Sequence, residues 1–376
     1  MQAAPAGLDG CEYRPDLANG SEIACPVDTS TEAIAKANAG DLRAMVALGA
    51  FYLHSPKPTG DAARGVDLLQ RAAARHDTMA MALLGEAFEH GAGVTKDEAQ
   101  AFRWYLSAAN AGNAIAMVNL ASMYGEGQFV AKDDLAAVKW YREAADKGFP
   151  AAMFALGSRY QSGAGVVKDP AEAVRWYQKA AALGDTDAMS NLGAAYLNGE
   201  GVARNDAEAI RWLQMGADKG NGIAAYNLGY AYFHGESVPK DHAAAARLYQ
   251  AAAKKGVASA MLQLGLMFEH GDGVPKDDQV SFQWFSAAAA AGDVTAIGEV
   301  GLAYHDGRGV SANPETAAVW FRSAAEKGNA QAMFNYATML HNGSGVATDQ
   351  AQALVWLKRS ASLGFAPAVK LLSTLQ

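Results

Sequence analysis

All seven tryptophans of this chain, Trp104, Trp140, Trp176, Trp212, Trp284, Trp320 and Trp356, fall on one 36-residue lattice whose single vacant site is Leu248. A fixed period of that length is the signature of a solenoid or an array, in which each unit buries its apolar face only against its neighbours. Other residue types keep the same period. Alanine recurs in every unit from Ala44 and Ala80 to Ala332 and Ala368. Four residues on comes a Leu-Gly pair (Leu84-Gly85, Leu156-Gly157, Leu228-Gly229, Leu264-Gly265), relaxed to Leu120-Ala121 and Tyr336-Ala337. An aromatic follows (Tyr52, Phe88, Tyr160, Tyr196, Phe268), then a glycine and a valine, and two small residues before a closing glycine, as in Ala180, Ala181 and Gly184. Nine full units and a tenth half-unit fit from Ala44 onward without an insertion.

Within one unit Ala188, Leu192 and Tyr196 are spaced i, i+4, i+8, which places them on one stripe of a first helix. Gly199 and Gly201 end it. Asn205 and its equivalents stand where a second helix starts, several with Glu or Gln three residues on (Asp97 with Gln100, Asp169 with Glu172, Asn205 with Glu208, Asp349 with Gln352), the capping-box pattern. Pro170 and Pro314 suit the first helical position. Ala209, Trp212 and Gly216-Ala217 give the second helix its apolar stripe, and Gly220 closes it. The predicted unit is helix, Gly-rich turn, helix, with Trp and Tyr filling the space between units and no strand pattern anywhere. The methionines that follow the recurrent alanine (Met45, Met81, Met117, Met153, Met189, Met261, Met333) read as core.

The unit resembles the Sel-one-like repeat, a relative of the tetratricopeptide repeat. Residues 152–184 carry nearly all of its pattern: Ala152, Leu156-Gly157, Tyr160, Gly163, Gly165-Val166, Asp169, Ala173, Trp176-Tyr177, Ala180-Ala181 and Gly184. The resemblance implies an all-α, right-handed superhelix of about nine repeats over residues 44–365, with a concave face lined by first helices. Residues 29–43 then read as a degenerate capping helix and 366–376 as a C-terminal capping helix. The cysteine pair that some bacterial members carry in each repeat is absent, so nothing of that subgroup's disulfides or penicillin binding transfers.

Residues 1–28 lie off the lattice, are rich in Pro, Gly, Asp and Asn, and hold both cysteines, Cys11 and Cys25. If oxidised, that pair closes a short loop and stabilises an N-terminal cap by about 3 kcal/mol. Confinement of both cysteines to such a segment suggests an oxidising compartment; two inert cytosolic thiols are the alternative. Met1 followed by Gln-Ala-Ala-Pro reads as a start placed before a mature N terminus, which gives a periplasmic or secreted expectation. The net charge of -8 is spread along the chain. With no basic patch and no long apolar run, neither nucleic acid nor a membrane span is expected. The protein is expected to be monomeric when free.

No catalytic, phosphate-binding or zinc motif appears, and no cofactor is implied. Six histidines (His54, His90, His234, His270, His305, His341) share one end of the first helix, with Glu89, Glu269 and Asp306 beside them. A metal or acid-base ladder is one reading. Against it, helices pack about 8–10 Å apart, too far for successive histidines to share an ion easily at about 2.1 Å per bond. Contact with a partner or with the repeat itself is the other.

By resemblance to tetratricopeptide solenoids, the concave face comes from residues five and two before the Leu of Leu-Gly and two, five and six after it. The candidate partner contacts are Tyr226, Tyr230, Phe233 and His234, then Leu262, Leu266, Glu269 and His270, then Leu302 and His305. An apolar, aromatic cluster on a nominally exposed face marks an interface; a tight superhelix or a terminal segment covering it is the alternative. The function expected is a non-catalytic, exported binding protein that holds another protein in its groove. The resemblance offers immunity proteins that neutralise phospholipase-type secreted effectors, periplasmic regulators, and envelope or polysaccharide assembly adaptors. A cell-wall or β-lactam hydrolase using groove His and Glu is the competing class.

Overall fold

The computed structural model describes residues 12–14, 22–24, 29, 31–55 and 61–374. Chain contacts divide it into two compact units, residues up to Ala188 with Gly199–Ala203, and Met189–Asn198 with Arg204 onward. The first holds α1 (Thr31–Asn38), then four helix pairs: α2 (Leu42–His54) with α3 (Ala62–Ala73), α4 (Thr78–His90) with α5 (Glu98–Asn110), α6 (Ala114–Glu126) with α7 (Asp134–Asp146), and α8 (Pro150–Ser162) with α9 (Pro170–Ala182). Helix α10 (Thr186–Asn198) falls at the division. The second unit continues with α11 (Asp206–Asp218), α12 (Gly222–His234) with α13 (His242–Lys254), α14 (Ala258–His270) with α15 (Asp278–Ala290), α16 (Val294–Asp306) with α17 (Pro314–Glu326), α18 (Ala330–Asn342) with α19 (Gln350–Ser362), and α20 (Ala366–Thr374).

One departure from the sequence expectation lies ahead of the helices. Glu12–Arg14 (β1) and Glu22–Ala24 (β2) pair antiparallel, with Tyr13 opposite Ile23, so a strand pair does occur. The expected Cys11–Cys25 link lies outside the described residues.

The repeat's recurrent residues have separate mechanical duties. In the 78–113 repeat the Asp77 carboxylate accepts the Ala80 N–H at 2.8 Å and caps α4. Asp41, Asn113, Asp293 and Asn329 do the same for α2, α6, α16 and α18. The Asp97 carboxylate accepts the Gln100 N–H at 3.0 Å, which is half of a capping box. The backbone N–H of Asp97 donates to the Phe88 carbonyl at 2.8 Å, so the turn is closed by backbone rather than by the expected Gln side chain. The same bond joins Asp169 to Tyr160, Asp241 to Tyr232 and Asn313 to Tyr304. The second turn glycine cannot be replaced freely: Gly165 has φ +74°, and a Cβ there would lie 2.2 Å from the Asp134 carbonyl oxygen.

Tryptophan is not the deepest side chain of the repeat, although Trp176 and Trp356 are buried and Trp284 and Trp320 pack against the core. Trp140, Trp212, Trp284 and Trp320 keep part of their surface, and cations cover Trp140, Trp176, Trp212 and Trp356. The residue after tryptophan is the buried knob, as with Tyr105, Tyr177 and Phe321, each at most 1% exposed, and Tyr249 after Leu248 at 0%. Its ring lies on the Gly of Leu-Gly in the paired first helix, which is why that position bears no side chain. The methionines after the recurrent alanine are buried, except Met261, which is half-exposed.

Among the described residues no helix is long and apolar enough to cross a membrane.

Candidate partner-binding face

The first helices of the second unit set the candidate residues on one side because one turn of helix separates Tyr226, Tyr230 and Phe233-His234. Tyr230 is 42% exposed and His234 is exposed, while Tyr226 and Phe233 are half-buried against the α12–α13 core. Their rings form a connected group. Tyr230 lies 4.1 Å from His234 between centroids, Phe233 lies 5.1 Å from His234, and Phe233 stacks on His242 of α13 at 4.6 Å. Leu262 and Leu266 on α14 and Leu302 on α16 sit half-buried against the α15–α19 core. Ile223, one turn before Tyr226, is 50% exposed.

Glu269 belongs to the protein's own ion pairs. It pairs with Arg308, from the turn after α16, and the Arg308 Nε lies 3.4 Å from Asp306. Burial holds the Arg308 guanidinium below its ordinary pKa, so Glu269 and Asp306 serve first to neutralise that charge. The histidines also divide among separate partners. His54 Nε2 contacts Glu86 at 3.0 Å, His305 Nδ1 contacts Asp306 at 2.6 Å, His341 Nδ1 contacts Gln350 at 2.5 Å, and His270 Nε2 lies 4.0 Å from Glu269. Among the described residues no three His, Cys, Asp or Glu side chains converge as a metal site.

The second helix reaches this face through its buried tyrosine. In the first unit the Tyr105 hydroxyl donates to Glu89 at 2.7 Å, that of Tyr141 meets Ser122 at 2.9 Å, and that of Tyr177 donates to Gln161 at 2.8 Å. Each partner lies two or five residues after the first-helix Leu. For Tyr249 those positions are Tyr230 and Phe233, which leaves its buried hydroxyl without a hydrogen-bond partner among the described residues. Its ring lies 5.7 Å from that of Tyr226, and burial pushes its pKa well up, with Tyr226 and Tyr230 adding to the rise.

Charge is distributed one way on these helices. α12, α14, α16 and α18 contain no Lys or Arg; their charged residues are Glu269, Glu299 and Asp306. Glu299 is half-buried, has no hydrogen-bond or ion-pair partner among the described residues, and is raised in pKa by desolvation. Tyr249, Arg308 and Glu299 are not among the residues expected from sequence. A signal for Glu299 exists in the lattice: the residue before the first-helix Leu is an amide at Asn119, Asn191, Asn227 and Gln263, and the corresponding residue is Asn335, so a carboxylate there stands out.

The Sel1 repeat model matches nine consecutive times, at 42–77, 78–113, 114–149, 150–185, 186–221, 222–257, 258–293, 296–329 and 330–365. The chain therefore belongs to the Sel1 repeat family, an all-α solenoid scaffold suited to protein–protein interaction. Among solved structures it is similar to c5321, a protective antigen of uropathogenic Escherichia coli strains, at 31% identity over 90% of this chain and 80% of that one, with a TM-score of 0.56. It is also similar to a Sel1 repeat protein from Oxalobacter formigenes, at 33% identity over 65% of this chain and 99% of that one, TM-score 0.60. An immunity protein from Pseudomonas aeruginosa aligns at 23% identity over 55% of this chain and 81% of that one, TM-score 0.43, too slight a likeness to bear on function. Comparison with curated protein sequences gives no match.

Proposed function

We propose that this protein is a non-catalytic capture protein whose first-helix face, centred on α12, α14 and α16, holds another protein. The observation that carries the reading is the exposed aromatic group of Tyr230 and His234, continuous with the half-buried Tyr226 and Phe233 and followed by Leu262, Leu266 and Leu302. Large aromatics beside half-buried aliphatics supply the anchors that dominate protein interfaces. A hydrolytic role for Glu269 and His305 is disfavoured, because Arg308 engages Glu269 and Asp306 engages His305. Within the capture reading, the finer proposal is an inhibitor that masks one partner on this repeat face. An extracytoplasmic location belongs to the same proposal and rests on the sequence alone.

A photo-crosslinking amino acid placed at Leu266 tests this in the cell of origin, with Lys179 on α9 as the control position. A discrete protein adduct at 266 and none at 179 is expected; adducts at 179 alone would move the functional surface to the second helices.

A further inference from the structure

Two polar groups of the second unit lack what their chemistry requires: the Tyr249 hydroxyl, and the Glu299 carboxylate, which lies on α16 less than one helical turn before Leu302 of the proposed face. The Tyr249 hydroxyl, on a side chain 0% exposed, is a donor with no acceptor among the described residues. The tyrosines of the first unit show that a ring at this register delivers its hydroxyl to the first-helix face. Leaving such a group unsatisfied is costly, and an incoming carbonyl relieves the cost. Glu299 is an acceptor and an anion with no counter-charge, on a set of helices that carries no Lys or Arg. Its carboxylate is partly desolvated, which strengthens any pairing with a cation. Helices α12 and α16 are two repeats apart, roughly 20 Å at 8–10 Å per packed step, which about six extended residues span.

We infer, on the capture reading above, that the partner presents an extended segment of about six residues with an arginine or lysine two to four residues from an apolar side chain on the same side of the segment. The cation pairs with Glu299, the apolar group packs among Tyr230, Phe233 and Leu266, and a backbone carbonyl accepts from Tyr249.

A displayed pool of random twelve-residue peptides, panned on the intact chain, tests this, followed by titration of the most enriched peptide into variants. Enrichment of Arg or Lys two to four residues from Leu or Phe is expected. Glu299→Gln is expected to weaken that peptide about tenfold while leaving its Gln-for-Arg analogue unchanged, and Tyr249→Phe to weaken it several-fold while raising the Tm of the free protein. Enrichment of neutral or acidic peptides, no enrichment at all, or full affinity in Glu299→Gln overturns the inference. If affinity is lost in Tyr230→Ala/Phe233→Ala but kept in Glu299→Gln, the capture reading stands and the basic-segment inference falls. If basic peptides bind every variant equally, both fall.

Discussion

Gly157 and Tyr177 are built for each other: a Cβ added to Gly157 on α8 would lie 2.5 Å from Cε1 of Tyr177, which is 1% exposed on α9. The bare first-helix backbone lets the aromatic ring of the second helix close the gap inside each repeat. A helix-interior glycine costs about 1 kcal/mol relative to alanine, whereas forcing a methyl into a packed ring contact costs about 1–3 kcal/mol. Gly157→Ala is therefore expected to destabilise by up to about 2 kcal/mol. Gly298 on α16 is the counter-case, since a Cβ added there would meet nothing nearer than Asn329 Nδ2 at 3.6 Å. Gly298→Ala is expected to stabilise by about 0.5–1 kcal/mol, and urea denaturation of the two variants should show opposite signs.

The knob after tryptophan matters more than tryptophan itself. Tyr177→Ala should cost about 3–5 kcal/mol, as for a buried aromatic. Trp140→Ala, which removes a half-exposed ring covered by Lys139 at 5.6 Å, should cost less than half of that. Equal losses in denaturant midpoint would return the tryptophan to the centre of the core.

His76 has φ +64° at the register where Gly40, Gly112 and Gly148 end their second helices. It is exposed, so little packing is lost on replacement. His76→Gly should stabilise by about 1 kcal/mol through relief of the left-handed strain, read as a rise in Tm; a fall would show that the imidazole makes a contact of greater worth.

Asp185 caps α10 by accepting the Ala188 N–H at 2.8 Å, yet desolvation raises its carboxyl from 3.8 to about 6. A carboxyl raised in the folded state binds its proton more tightly there than in the unfolded chain, so it destabilises above pH 6. That penalty fades as pH falls from 6 toward 4. Asn caps the same register at 113, 221 and 329 without a charge. Asp185→Asn should gain about 1–2 kcal/mol at pH 7.5 and little at pH 4. A stability difference between the two proteins that stays flat across that range would contradict the assignment.

The helix pair is legible in the sequence because Ala, Leu-Gly and the turn glycines each answer a backbone or close-contact demand that recurs at every repeat. The face is legible only in part. Tyr230 and Phe233 stand out because the repeat leaves their positions free, so an aromatic there has no packing duty set by the lattice. The engagement of Glu269 does not stand out, since its partner Arg308 comes from the following repeat's turn and no spacing rule links the two. Tyr249 is inconspicuous for another reason: its residue type matches Tyr105 and Tyr177, and only the loss of a polar neighbour on α12 makes it an orphan. The β1–β2 pair leaves little trace because two three-residue runs carry too short an alternation to register.

The most direct test of partner capture is the affinity of the crosslinked partner for Tyr230→Ala/Phe233→Ala, measured beside Arg175→Ala, whose exposed side chain on α9 pairs with Glu172. Loss of a central anchor pair typically costs 2 kcal/mol or more, roughly thirtyfold in affinity. The predicted result is at least that loss in the double variant, with helicity retained, a Tm lowered only by the lost packing of Phe233 on His242, and Arg175→Ala unaffected. Wild-type affinity in the double variant, or its unfolding, would contradict the account and assign these aromatics to the core.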